Sequence, residues 1–234
     1  MTIRLRQSPV EARGSVIRRI ADNSDSQSLA TRLRRRRFDL FLSLLGTLQG
    51  HVEILDIGGT QQFWDLMLGK GSPDIKVTLL NVEPQPVSSP RFVSAVGDAR
   101  SIPQFADGSF DVVFSNSVIE HVGDYANQRR MADEIRRVGR RYFVQTPNKR
   151  FPLEPHFLVP WFQYLPVEVR ARLINNFDVG WYRRIRDITV ARREVRSIQL
   201  LTRKQFTGLF PEARIHEEKL ARLTKSFVAI GGWE

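Results

Sequence analysis

Short apolar runs alternate with helical periodicity through the middle of the chain. Residues 52–57, 76–83, 92–96, 110–115 and 141–146 are each rich in β-branched or aromatic side chains and bounded by Gly, Pro, Asp or Asn. Apolarity within them is continuous rather than alternating, which predicts strands covered on both faces, as in a parallel sheet. Between them the period is that of a helix. Leu29, Leu33, Leu40, Phe41, Leu44, Leu45 and Leu48 line one broad face ahead of the first strand; Phe63, Leu66 and Met67 recur after it; Met131, Ile135 and Val138 lie inside a helix over 126–138. Thr202 is placed to cap a helix over 203–210, Pro211 stops it, and two last strands are expected at 213–219 and 226–231. Such alternation predicts an α/β fold, a doubly wound and mostly parallel seven-stranded sheet with helices on both faces. Ligands of such sheets bind beyond the carboxyl ends of the strands, where the strand order reverses.

Composition narrows the class. The 234 residues are 41% hydrophobic and 26% charged, a globular balance, and they include no cysteine. Thiolate metal sites, disulfides and a cysteine nucleophile are thereby excluded. The longest apolar stretch, 38–48, is far below the roughly 20 residues of a membrane span, and residues 1–19 lack the apolar core of a secretory signal. A cytoplasmic protein is expected, at most peripheral on the inner membrane surface.

The net charge of +11 is unevenly placed. Residues 1–37 carry ten arginines against three acids, and 170–204 carry ten basic residues against three acids; the remainder is slightly acidic. Two such segments suit nucleic acid or anionic lipid, and equally a pair of solvated helical faces. The expected organisation is a basic N-terminal helical extension (1–37), a sheet core (38–150), an insertion rich in aromatics and prolines (151–201), and a closing helix with two antiparallel strands (202–234).

Three strand ends carry the first chemistry. Gly58-Gly59 after strand one lets backbone come close to a ligand. Glu83 closes strand two, where a carboxylate can accept both hydroxyl hydrogens of a ribose; it reads equally as an exposed glutamate before Pro84. Asp98, after strand three, can accept from an adenine amino group. Positions 58–63 read Gly-Gly-Thr-Gln-Gln-Phe, neither a dinucleotide fingerprint nor a P-loop, so an adenosine without a pyrophosphate is favoured.

With those residues, the chain resembles the class I S-adenosylmethionine-dependent methyltransferases of the small-molecule type. The resemblance is carried by Ile54-Leu55-Asp56-Ile57-Gly58-Gly59-Thr60, Asn81-Val82-Glu83-Pro84, Gly97-Asp98-Ala99 and, above all, the stretch from Phe105 to Val122. It implies a Rossmann-like core with S-adenosyl-L-methionine as cofactor. Asp56, Gly58 and Gly59 would approach the methionine part, Glu83 the ribose, Asp98 and Ala99 the adenine, and Ser115 and Asn116 the sulfonium. Thr60 and Gln62 depart from the family's glycine spacing.

If the acceptor is a hydroxyl, a positioned base assists. His121, in the family-like Glu120-His121 pair, is the first candidate, and His156 after strand five the second. His51 and His216 read as structural, and no spacing argues for a metal. The leading expectation is methyl transfer to a small-molecule, glycan or lipid-linked acceptor, with 151–201 as an acceptor-side cap. An RNA ribose methyltransferase and a non-catalytic cofactor-binding scaffold are the alternatives.

Overall fold

The computed structural model describes residues 28–69 and 73–233. Most of the basic N-terminal extension therefore lies outside the described residues. The described residues divide into two compact units, one within 41–151 and 199–233, the other made of 28–40 and 152–198.

The first unit is built on the expected sheet. Strands β1 (Val52–Ile57), β2 (Ile75–Asn81), β3 (Phe92–Val96), β4 (Val112–Asn116) and β5 (Tyr142–Pro147) run parallel. Later in the chain, β8 (Arg214–Leu220) and β9 (Leu223–Gly231) are antiparallel. The order is β3-β2-β1-β4-β5-β9-β8, so the chain reverses direction across the sheet between β1 and β4. β2 stops at Asn81, short of the expected Glu83. Its last rung is the Gly97 amide to the Asn81 carbonyl, and Pro84 has no N–H to extend the ladder.

Alternate residues of the strands face two different layers. Leu55, Val113 and Val144 join Met131, Ile135 and Val138 of α3 (Tyr125–Val138) and Phe206 and Leu209 of α6 (Arg203–Leu209) in one buried cluster. The opposite layer is aromatic. The Phe114 ring lies 4.7 Å from Phe41, at the end of α1 (Leu29–Leu45), 5.5 Å from Trp64 in α2 (Gln61–Met67), and 5.8 Å from Phe143. Such pairs each add about 0.5–1.5 kcal/mol beyond their area. Within α2 the buried residues are Trp64 and Met67 rather than the expected Phe63-Leu66-Met67 face. A shift of one residue, about 100° around the helix, brings the indole beneath β1, where the Asp56 carboxylate accepts from it.

The second unit contains a two-stranded ribbon, β6 (Leu153–Glu154) with β7 (Val159–Pro160), and two helices, α4 (Val167–Asn176) and α5 (Ile188–Ser197). The frequent prolines confine the first part to short pieces, as expected. Ala171 and Ile174 of α4 and Ala191 and Val195 of α5 are fully buried, and Arg192 Nε reaches the Glu168 carboxylate at 2.9 Å. No described helix is long and apolar enough to cross a membrane.

The closing helix α6 begins with the cap read in the sequence. Thr202 Oγ1 accepts from the Gln205 amide at 3.3 Å, and Gln205 Oε1 accepts from the Thr202 amide at 3.0 Å. Thr202→Ala should lower unfolding stability by about 1 kcal/mol, the usual worth of an N-cap; urea unfolding followed by circular dichroism measures it.

Candidate active site

The turns that follow β1, β2, β3 and β4 lie along one edge of the sheet. The β1 turn carries the tightest geometry. Gly58 has φ +78, and a Cβ there would come 2.5 Å from Val118 Cγ2 in the loop after β4. A Cβ on Gly59 would fall 1.6 Å from Asp56 Oδ2. Both positions therefore require glycine, the first for its backbone as well as for space. The Gly58 amide donates to the Leu80 carbonyl at 2.8 Å, and Asn81 Nδ2 donates to the Gly59 carbonyl at 2.9 Å. The turn is thus held from the β2 side by backbone and side chain together. Thr60 is the N-cap of α2, accepting from the Phe63 amide at 3.3 Å.

Asp56 is buried beneath this turn. Its carboxylate accepts from Trp64 Nε1 at 2.7 Å. Burial raises its pKa to about 7, the indole hydrogen bond opposing the shift. Ser115 is also buried and donates to the Ile57 carbonyl at 3.4 Å, while Asn116 stands half-buried at the strand end. Ser117, at φ +60, donates to Gln145 Oε1 at 2.7 Å and so turns the chain sharply out of β4.

The other two carboxylates differ in surroundings. Glu83 is exposed in the bend after β2. Asp98 is about half exposed and bound to Arg100: Nε donates to Oδ1 at 2.9 Å and to Oδ2 at 3.0 Å, and the Arg100 amide donates to Oδ1 at 2.9 Å. The guanidinium beside it holds the Asp98 carboxyl below the usual carboxylate range. Ala99 is nearly buried in the same turn. Arg100, two residues beyond Asp98, and Trp64, eight beyond Asp56, shape these carboxylates and were not singled out in the sequence. Both are local neighbours of a chosen acid, which is the signal that could have found them.

Glu120 and His121 end a short 3₁₀ turn, Ile119–His121. Glu120 is fully buried; its Oε2 accepts from Thr146 Oγ1 at 3.0 Å, and its carbonyl accepts from the Gln199 amide at 2.8 Å. These bonds fix the half-buried His121 beside the end of β5. His156 belongs to the second unit. There its Nδ1 lies 2.8 Å from Glu154 Oε1, and Glu154 Oε2 accepts from the Phe157 amide at 2.6 Å.

Residues 55–142 match the family model described as a methyltransferase domain. No curated protein matches the chain in sequence. Among solved structures, a SAM-dependent methyltransferase of Methanosarcina mazei is 17% identical, with 80% of this chain and 95% of that one covered and a TM-score of 0.49. A Pyrococcus horikoshii protein is 16% identical over 88% of this chain and 92% of its own, with a TM-score of 0.50. The CurJ carbon methyltransferase is 12% identical over 87% and 55%, with a TM-score of 0.53. The chain carries the methyltransferase domain of the class I S-adenosylmethionine-dependent enzymes, on their seven-stranded Rossmann-like sheet. It is a SAM-dependent methyltransferase.

The residues present fit that cofactor. Gly58 and Gly59 put no side chain on the turn after β1, and two carboxylates with solvent access follow the neighbouring strands.

The raised pKa of Asp56 sets a sign. Its contribution to stability is complete below the unfolded value of 3.8 and is lost as pH rises to about 7. The stability of the wild type relative to Asp56→Asn should therefore fall between those limits and be level above them. Urea midpoints of both proteins from acid to mildly alkaline pH test this; a difference independent of pH would overturn it.

Proposed function

We propose that the chain transfers the methyl group to a hydroxyl of a small-molecule, glycan or lipid-linked acceptor, with His121 taking the hydroxyl proton. The observation that carries this reading is the buried Glu120, whose bonds to Thr146 and Gln199 hold the histidine turn at the carboxyl edge of β4 and β5. A buried acid used to fix a neighbouring residue is costly unless it is satisfied, and the turn it fixes carries an imidazole, a side chain suited to general-base work.

S-adenosylmethionine supplies, when bound, a methyl group on a positively charged sulfur that leaves readily. The protein's part is then orientation and proton removal. Orientation is worth about 7–11 kcal/mol of the barrier in well-arranged systems. In this reading Gly58 and Gly59 admit the methionine part, and Asp56 acts through Gly59 by holding the turn in shape. Glu83 receives the ribose hydroxyls, Asp98 with the Ala99 amide receives the adenine edge, and Ser115 and Asn116 flank the sulfonium. His156, fixed by Glu154, is the second candidate base.

Methyl-labelled cofactor offered with a panel of phenols, sugars and polyprenyl-linked glycans tests the acceptor class. Label on oxygen is the expected result; label confined to carbon or nitrogen would overturn it. His121→Gln should lower kcat by about 10²–10⁴ at unchanged affinity for S-adenosylhomocysteine. Equal turnover in both proteins would remove His121 as the base. Glu83→Ala should weaken S-adenosylhomocysteine binding by about 1–3 kcal/mol, read by titration calorimetry; an unchanged Kd would refute the ribose contact.

A further inference from the structure

The second unit displays aromatic rings to solvent. Among the described residues, four large aromatic side chains are exposed, Trp161 (56%), Tyr164 (53%), Phe177 (62%) and Trp181 (42%), and all fall within a stretch of the chain shorter than one domain helix pair. Elsewhere the exposed large apolar side chains are aliphatic.

Their exposure is built in. Trp161 has φ +61, a left-handed conformation unfavourable for a non-glycine residue. Its amide is nevertheless fixed to the Pro152 carbonyl at 2.7 Å, and its ring stands 6.2 Å from Tyr164. Phe177 precedes and Trp181 lies within a tight turn in which Val179 and Tyr182 exchange both backbone hydrogen bonds at 2.9 Å. Asp178 Oδ1 accepts from the Arg184 amide at 2.7 Å, and Asn175 Nδ2 donates to the Ile185 carbonyl at 2.7 Å. The two segments share a floor. The buried Phe157 ring lies 4.4 Å from Phe162, next to Trp161 in sequence, and 4.8 Å from Tyr182, next to Trp181.

Charge accompanies the rings. Arg183, Arg184 and Arg186 follow Trp181 directly and are exposed, as is Arg172 on α4. Neither Arg183 nor Arg186 has a carboxylate within ion-pair distance among the described residues.

We propose that the 177–186 turn, with Trp161 and Tyr164, is a docking surface for an anionic lipid bilayer. Indole and phenol rings favour the headgroup region, where an apolar body and a polar edge are both satisfied. Guanidinium groups beside them pair with lipid phosphates. The chain would lie on the bilayer, since no described helix spans one. Turns that project rings favour this partner over single-stranded RNA, which stacks on sheets and in grooves. The inference is independent of which acceptor is methylated.

The test uses the full chain and vesicles of phosphatidylcholine with and without phosphatidylglycerol. Wild type should sediment with the anionic vesicles. The pair Phe177→Ser and Trp181→Ser should lower partitioning by about tenfold, and Arg183→Ser with Arg186→Ser should remove the anionic preference, at about fivefold per arginine. Wild-type urea midpoints and S-adenosylhomocysteine affinity show that the variants are folded, and Phe177→Ser alone serves if the pair is not. Partitioning unchanged by the aromatic substitutions would place vesicle binding elsewhere and overturn the proposal. So would absence of vesicle binding, or RNA binding lost in the same variants while vesicles are ignored.

Discussion

A carboxylate buried under a glycine governs the carboxyl edge of the sheet in this protein. Asp56 lies where a Cβ on Gly59 would have to be, and Trp64 donates to it at 2.7 Å. The acid forbids a side chain at 59, the indole fixes the phase of α2 against the sheet, and α2 in turn begins at the cap Thr60 that closes the glycine turn. The same indole belongs to the aromatic layer with Phe41 and Phe114. Local backbone shape and the packing of one sheet face thus rest on a single polar contact. In a dry setting such a contact is worth more than its surface equivalent, because an unpaired buried carboxylate is costly.

Beyond their last rungs, parallel strands have no ladder to hold their tips, and side chains supply the ties. Asn81 bonds the Gly59 carbonyl, Ser115 the Ile57 carbonyl, Ser117 the Gln145 amide oxygen, and Thr146 the Glu120 carboxylate. Each tie joins neighbouring strands in the order β2, β1, β4, β5. Arg137 performs the same service from α3, donating to the carbonyls of Phe105 and Ile102 in the loop after Asp98. Such an edge is preorganised, so little ordering remains to oppose binding.

Most of this framework was legible because its signals are local. A β-branched run ended by Gly or Pro, a 3.6-residue apolar period and a capping Thr each specify an element without knowledge of its partners. Their bounds moved by one to three residues where ladder pairing decided the end, as at Asn81 and at Leu223, where β9 begins three residues ahead of the expected 226. In α2 the periodicity gives Met67 and Phe63, whose ring stacks on Phe114 at 5.8 Å, but not Trp64, which is buried for a polar contact with β1 that periodicity cannot express. The same limit hid Arg100, whose pairing depends on a turn that folds it back on Asp98. In 152–198 the prolines announced broken structure, but the αL backbone at Leu158 and Trp161 has no sequence signature.

Arg100 raises the question of whether Asp98 is free to serve a nucleoside. The pair is exposed on both sides, with side chains 38% and 45% accessible. Exposed ion pairs contribute about 0.2–1 kcal/mol, whereas a hydrogen bond to a charged group in a drier setting is worth about 1.5–3 kcal/mol. An amino group that reaches Asp98 from the strand edge meets the same partly exposed carboxylate and competes there with the guanidinium. Arg100 also points Nη1 at the Val122 carbonyl, at 3.5 Å, one residue past His121. A yielding guanidinium would loosen that link as well, so the turn expected to seat adenine and the turn bearing His121 share one weak bond. The ties between the strand tips set the shape of this edge, whereas the turns after β3 and β4 are joined by one long contact from a partly exposed guanidinium.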